Sequence, residues 1–371
     1  MVKSIYRINM KYIIYGGSFD PIHNGHIQMA LKAKEVTNAD KVIFLLSKRP
    51  RWKNPLEDEN HRLNMLKLAL YNISWAEIDL TEYNSLEDVN YTYRTILKIK
   101  NKYPGDLYFL IGGDNVNQLN DWYEIDKLSK IVKLIAIARP GIELNYNNIS
   151  KYNVEVINSY ISNMSSTSLR NMSNLDCPIE VLQYIIENNL YFVPRLKEYI
   201  SEKRFNHSYE VAKLAYRIAK SNNLNEIKAF TGGLLHDIGK GMDKDKQRAY
   251  MALNYPEFLN ELPPPLYHQF ISRDICINDF NISDQEILNS IVYHATGNSE
   301  MTSLGKVIYS SDKIEPTRGY DSSDMINACL EDYQKGFEYV LKENIKFLKE
   351  ANKSYDNVLT RKCINYYLKE R

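Results

Sequence analysis

Residues 11–26 read KYIIYGGSFDPIHNGH, in which the apolar stretch Lys11–Tyr15 runs straight into Gly16-Gly17-Ser18-Phe19-Asp20-Pro21-Ile22-His23-Asn24-Gly25-His26. The apolar stretch suits a strand buried on both faces. Two glycines at its end let the backbone turn without a Cβ penalty and approach a phosphate closely. A helix is expected to open within His23–His26, aiming its N-terminal amides and dipole at the same point. Two imidazoles there can donate hydrogen bonds to phosphate oxygens, and such bonds tighten as charge builds in a transition state. The bland alternatives are a pair of helix-start residues or half of a zinc site. Zinc wants a third and fourth ligand, His61 is the only other histidine in this half, and the glycine turn then has no role.

Outward from that stretch the same grammar repeats. Lys41–Leu46, Leu107–Ile111 and Val132–Ala138 also read as buried parallel strands, while His26–Val36, His61–Leu70 and Tyr91–Lys100 place apolar residues at helical spacing. Strand–helix alternation implies an α/β, Rossmann-like doubly wound parallel sheet with ligands beyond the carboxyl ends of its strands. After about Pro194 the pattern is helical almost throughout, clearest in Val211–Ala219, Ile227–Leu235, Asp284–Val292, Met301–Asp312 and Tyr333–Leu348. Pro194 is expected to interrupt the chain near Tyr191–Lys197. The expectation is therefore an α/β domain over residues 1–194 followed by an all-α domain over residues 195–371. A chain of 371 residues is long for one core, which agrees with two.

Lys+Arg number 47 and Asp+Glu 46, so no global positive field favours long nucleic acid. The cysteines, Cys177, Cys276, Cys329 and Cys363, are scattered without C-x-x-C spacing, which argues against a disulfide framework or a thiolate zinc site and suits a reducing cytoplasm. No apolar run approaches the ~20 residues needed to span a bilayer, so no membrane partner is expected. MVKSIYRINM lacks the apolar region of a signal peptide, and residues 1–9 read as an extension ahead of the first strand.

GGSFDPIHNGH resembles the signature of the nucleotidylyltransferase superfamily, and four further segments are similar to bacterial nicotinate-nucleotide adenylyltransferases. These are Asn90-Tyr91-Thr92-Tyr93-Arg94-Thr95, Ile111-Gly112-Gly113-Asp114 followed by Trp122, Ala138-Arg139-Pro140-Gly141, and Ser165-Ser166-Thr167-Ser168-Leu169-Arg170. They keep the family's order across residues 10–194. The resemblance implies transfer of AMP from ATP to nicotinate mononucleotide, with Mg²⁺ on the leaving pyrophosphate and no covalent enzyme intermediate. It implies catalytic roles for His23, His26, Lys53 and Arg170. Gly16, Gly17, Ser18, Phe19, Gly112, Asp114, Arg139, Ser166 and Thr167 then bind nucleotide, Tyr91 and Thr92 hold the nicotinate carboxylate, and Trp122 stacks on the pyridinium ring. Singly, each has an ordinary reading: Thr92 a helix cap, Trp122 a core residue, Arg139 a surface charge. The family's P-P-H-K loop is replaced by Ser47-Lys48-Arg49-Pro50-Arg51-Trp52-Lys53, where only the final lysine keeps its place. The main rivals are sibling transferases with pantetheine phosphate or glycerol phosphate as acceptor, and the tyrosine–threonine segment and Trp122 speak against them.

The other histidines, His207, His236, His268 and His294, all fall in the helical half, with Asp237 adjacent to His236 and Asp312 further on. Imidazoles and carboxylates from successive helices can form a shared cage whose mixed N/O character favours iron, manganese or another borderline ion. Leu234-Leu235-His236-Asp237-Ile238-Gly239-Lys240 resembles the motif that names the HD superfamily. Leu266-Tyr267-His268, Tyr293-His294-Ala295-Thr296-Gly297 and Asp312-Lys313-Ile314-Glu315-Pro316-Thr317-Arg318 are similar to its symmetrical diadenosine tetraphosphate hydrolases. That resemblance implies a two-ion centre, with His207, His236, Asp237 and Asp312 on one ion and His268, His294 and a shared Asp237 on the other. Water activated there attacks phosphorus, and Lys240, Thr296 and Arg318 bind the polyphosphate. Hydrolysis of another nucleotide phosphoester, or a regulatory module sensing nucleotides or metals, stand as the alternatives. Oligomeric state is not legible.

Overall fold

The computed structural model describes residues 10–48, 55–87, 89–138, 141–158, 164–353 and 355–368. The chain splits into two compact units, one ending at Tyr191 and the other continuing from Phe192, with Asn171–Leu175 counted in the second.

The first unit is built on strands β1 (Lys11–Gly17), β2 (Lys41–Leu46), β3 (Ala76–Asp79), β4 (Asp106–Gly112), β5 (Lys133–Ala138) and β6 (Glu155–Asn158). They form one parallel sheet in the order β3-β2-β1-β4-β5-β6. The four apolar strands lie at its centre because both of their faces are covered, and Ile13, Ile14, Val42, Ile43, Leu110 and Ile135 are buried there. The edge strands β3 (AEID) and β6 (EVIN) have four residues each and carry charge, so apolar periodicity alone does not reveal them. Strand β1 also runs on through the glycines, with Gly16 and Gly17 paired to Leu45 and Leu46 of β2. The strand order reverses between β1 and β4, and a crevice opens beyond their carboxyl ends at such a switch point.

The second unit is helical, with no strand among its described residues. Pro194 does not break a helix: it sits in the first turn of the Val193–Tyr199 helix, where the missing N–H has no intrahelical partner to lose. The Glu202–Ser221 helix crosses the Glu226–Leu235 helix at backbone contact. A Cβ on Gly233 would lie 2.7 Å from the Cα of Ala212 and 2.9 Å from its nitrogen. That approach brings the helix carrying His207 against the one that ends at His236. All four cysteines are buried free thiols, and among the described residues no helix is long and apolar enough to cross a membrane.

Because both close atoms at Gly233 are backbone, Gly233→Ala is expected to destabilise the helical unit by roughly 1–3 kcal/mol, the range for overpacking a tight core. Thermal unfolding followed by circular dichroism measures it, and an unchanged midpoint would show that the helices separate without strain.

Candidate functional site

In the first unit the chain leaves β1 through a close-packed corner. A Cβ on Gly17 would lie 2.9 Å from the ring of Phe19, and Phe19 itself has φ 44° with its side chain fully buried. A non-glycine residue in that region is uncommon, and the aromatic packing of Phe19 against Tyr15 and Phe44 holds it there. The helix Asn24–Thr37 follows with His23 as its N-cap. Here the backbone N–H of His23 donates to Nδ1 of His26 at 3.3 Å, with the two rings 3.7 Å apart. An Nδ1 that accepts leaves the neutral ring's proton on Nε2, the arrangement of a donor toward an oxyanion. A Cβ on Gly25 would lie 3.0 Å from the His23 ring, so a side chain between the histidines would push that ring from its place.

Two clefts meet at this corner. The larger, about 440 Å³, is lined by Gly16, Gly17, Ser18, Phe19, Tyr91, Thr92, Gly112, Asp114 and Trp122. The smaller, about 380 Å³, is lined by His23, Thr167 and Arg170, while Ser18, His26 and Ser166 face both. The structure thus brings together the described residues singled out in this half. Lys53 and Arg139 lie outside the described residues. Trp122 packs edge-on against Phe109 with the ring centroids 6.1 Å apart.

Several residues that motif reading passed over hold these walls. The Asp20 carboxylate accepts the Leu56 amide at 2.8 Å and the Tyr191 hydroxyl at 2.7 Å, while its carbonyl takes Arg170 Nη1 at 2.6 Å. Arg62 is 1 % exposed and donates to the carbonyls of Ser18 (2.8 Å), Ser47 (2.7 Å), Lys48 (3.2 Å) and Glu57 (3.1 Å). It ties the loop after β1 to the loop after β2. Its signal in the sequence is a guanidinium on the buried face of a helix, in phase with Leu66 and Ala69. Glu82 lines the larger cleft and accepts the Thr95 hydroxyl at 2.8 Å. Burial raises its pKa against the pull of hydrogen bonds from Thr95 and Ser47.

In the second unit the four histidines and two aspartates converge. His207 lies within the Glu202–Ser221 helix, His236 closes the Glu226–Leu235 helix, and His268 opens the His268–Asn278 helix. His294 follows the Gln285–Val292 helix, and Asp312 lies in the Ser303–Ile314 helix. Asp237 Oδ1 faces Nε2 of His236, His268 and His294 at 3.5, 3.4 and 3.3 Å. Asp312 Oδ1 faces Nε2 of His207 at 3.2 Å and of His236 at 3.5 Å. The ligand atoms of His207, His236 and Asp312 lie within 4.8 Å of one another, as do those of His236, Asp237 and His294. His268 Nε2 is 3.1 Å from His294 Nε2.

Burial alone would raise Asp237, but the three imidazoles around it and Lys240 hold it well below the ordinary carboxylate range. Burial likewise pushes His294 down to about 3 against the pull of Asp237. A neutral ring keeps a lone pair for a metal. His236 Nε2 and Asp237 Oδ1 are buried and make no hydrogen bond. Such orphaned atoms are costly in a protein interior unless something satisfies them, and this nitrogen–oxygen set fits a divalent cation.

Cations bond both carboxylates. Arg204 (3.1 Å) and Lys240 (2.7 Å) reach Asp237 Oδ2, Lys313 reaches Asp312 Oδ2 (2.7 Å), and Arg318 reaches Asp312 Oδ1 (2.7 Å). Lys240 and Arg318 were expected here; Arg204 and Lys313 were not, since single basic residues on helices carry no signal of their own. Thr296 stands apart, buried with its hydroxyl turned to Gln269 and the Gly297 carbonyl.

Residues 14–172 match the cytidylyltransferase-like family and residues 204–317 the HD domain family. A Mycoplasma genitalium protein named "Probable nicotinate-nucleotide adenylyltransferase/Ap4A hydrolase" is 32% identical over 84% of this chain and 89% of its own length. A Listeria welshimeri protein named "Probable nicotinate-nucleotide adenylyltransferase" is 37% identical over 48% of this chain and 95% of its own. Among solved structures, a "predicted HD superfamily hydrolase involved in NAD metabolism" from Clostridium acetobutylicum is 28% identical, covering 48% of this chain and 95% of its own with a TM-score of 0.44.

Arg62→Met should orphan the carbonyls that Arg62 gathers, destabilising the first unit by roughly 2–4 kcal/mol. It should also raise the KM for a nucleoside triphosphate, because the two loops are no longer tied. Urea denaturation and steady-state kinetics read the two effects, and wild-type values in both would refute the clamp.

Proposed function

We propose, because this chain belongs to the family of fused nicotinate-nucleotide adenylyltransferase/Ap4A hydrolases, that it is a bifunctional enzyme with one activity in each unit. The first activity joins ATP and nicotinate mononucleotide into nicotinate adenine dinucleotide and pyrophosphate. The second cleaves diadenosine tetraphosphate symmetrically into two ADP. The division of labour runs from residues 1–194 to residues 195–371.

The observation that carries the transferase reading is the meeting of the two histidines with the glycine corner and the Ser166–Arg170 helix at adjoining clefts. The larger cleft suits the nucleotide bases and the smaller the phosphates. The mononucleotide's phosphate attacks the α-phosphorus of ATP, and the bond to the leaving pyrophosphate breaks with no protein atom bonded to phosphorus. His26, with its proton on Nε2, donates to the oxygen that gains charge, and the His23 ring lies tilted beside it. Ser166, Thr167 and Arg170 bind the β- and γ-phosphates of an ATP that arrives with Mg²⁺, and Lys53 adds a further positive charge. Trp122 offers an apolar face to the pyridinium ring, and Tyr91 and Thr92 orient its carboxylate.

For the hydrolase reading the carrying observation is the buried cage on Asp237 and Asp312. His207, His236, Asp237 and Asp312 would hold one divalent ion, and His268, His294 and the same Asp237 a second; iron or manganese suits these donors. Ions bound there would supply Lewis acidity and activate water. The protein's own part is to keep His268 and His294 neutral through burial and to screen the substrate's charge. Arg204, Lys240, Lys313 and Arg318 already bond carboxylate oxygens, and the same donors can turn to a polyphosphate. Four free thiols accord with a reducing, cytoplasmic setting.

His26→Ala is expected to lower kcat for dinucleotide synthesis about 10²–10³-fold with KM changed only a few-fold, the pattern for losing a transition-state donor. Near-normal turnover would sink the role. In the second unit, diadenosine tetraphosphate with Fe²⁺ or Mn²⁺ should give ADP as sole product, read by chromatography. Chelation should abolish that reaction, and Asp237→Ala should prevent it while leaving dinucleotide synthesis by the first unit intact. AMP plus ATP as products would overturn the symmetrical assignment.

A further inference from the structure

The four imidazoles of the helical unit are oriented in two different ways. Nδ1 of His236 lies 2.7 Å from the Gly233 carbonyl, Nδ1 of His268 is 2.7 Å from the Pro265 carbonyl, and Nδ1 of His294 is 2.7 Å from the Ile291 carbonyl. Each partner precedes its histidine by three residues, so local backbone sets the ring and fixes the proton on Nδ1. His207 differs. Its Nδ1 lies 3.1 Å from Oε1 of Glu315, a residue 108 positions away in the chain, and its Nε2 faces Asp312. It stands in the middle of a helix, where the carbonyls before it are engaged in the helical ladder.

Glu315 is well built for holding that ring. It is 2 % exposed, and its other oxygen accepts both the amide of Thr317 at 2.6 Å and the Thr317 hydroxyl at 2.7 Å. One carboxylate oxygen is thus anchored to the turn that follows the Ser303–Ile314 helix, and the other is left for the imidazole. The same helix carries Asp312, so one element supplies a carboxylate to the cage and a second carboxylate behind it.

We propose that Glu315 is a positioning residue that orients His207 and raises its basicity as a ligand, and that it acts on only one of the two ions. The claim rests on the metal-cage reading above. His207 belongs with His236 and Asp312, whereas His294 groups with His236 and Asp237 and takes its orientation from backbone. A carboxylate behind a metal-bound imidazole fixes tautomer and ring angle, and losing such a partner typically weakens metal binding about 10–100-fold. The ion shared by His207 and Asp312 is therefore the tunable one, because a single side-chain change reaches it.

The test uses the full-length protein, stripped of metal and titrated with Mn²⁺ under equilibrium dialysis, in wild type, Glu315→Ala, Glu315→Gln and His207→Ala. Wild type should bind two ions per chain. Glu315→Ala should weaken one of them about 10–100-fold, the same one that His207→Ala removes, and leave the other within about three-fold. Glu315→Gln keeps an acceptor of the same size without the charge and should fall between. Should the alanine variant fail to fold, as shown by its melting in chelator, the glutamine variant carries the comparison alone. Both ions held at wild-type strength in the Glu315 variants, or both weakened equally, would overturn the inference while the cage stands. A wild type that takes up no Mn²⁺ would overturn the cage itself, and the role of Glu315 with it.

Discussion

Asp237 cannot be buried as a lone charge, and the helical unit is arranged around that fact. An isolated carboxylate in a dry interior would take up a proton, since desolvation strongly favours the neutral form. Here one oxygen faces three imidazole nitrogens and the other bonds Lys240 and Arg204. The surroundings outweigh burial and keep it ionised. Those partners come from several helices and the turns that close them, so the helices must pack in one register for the charge to be tolerated. The tight approach at Gly233 is part of the same constraint. A site that needs several helices to neutralise it makes the fold and the chemistry inseparable.

The first unit shows the converse, a buried cation resting on neutral partners. Arg62 draws on the carbonyls of four residues. Its fork geometry lets it reach carbonyls from three separate stretches of chain. Burial lowers its pKa while Asp20 opposes that shift. Asp20 in turn joins the first loop to residues far along the chain, Arg170 and Tyr191. The corner at the end of β1 is therefore enclosed from both ends of its unit, which is why the last segments of that unit belong to the site.

Much of this was legible in the sequence, for identifiable reasons. The central strands announce themselves because burial on both faces demands unbroken apolar residues, and β2 was read to the residue. The edge strands β3 and β6 were missed because half of each faces water and each is only four residues long. Glycine, histidine and serine at a strand–helix junction are legible because few other chemistries need them in that order. Arg62, Asp20 and Glu315 were not, because a clamp is recognised by what lies opposite it, and those partners are distant in the chain. Glu315 stood inside a quoted segment and still carried no sign of its part, since nothing local says that His207 alone lacks a backbone acceptor. Pro194 shows the opposite failure, a breaker in isolation that is simply the first turn of a helix.

The buried cysteines have a practical meaning beyond the exclusion of disulfides. Burial pushes Cys329 and Cys363 up to about 12, and moves Cys177 and Cys276 upward as well. A thiol without its thiolate reacts slowly with electrophiles, so in the native protein all four are silent. Cys177 belongs to the first unit and the other three to the second. The chain therefore carries its own opening sensors, and the order in which these sulfurs become alkylated under rising denaturant records which unit loosens first.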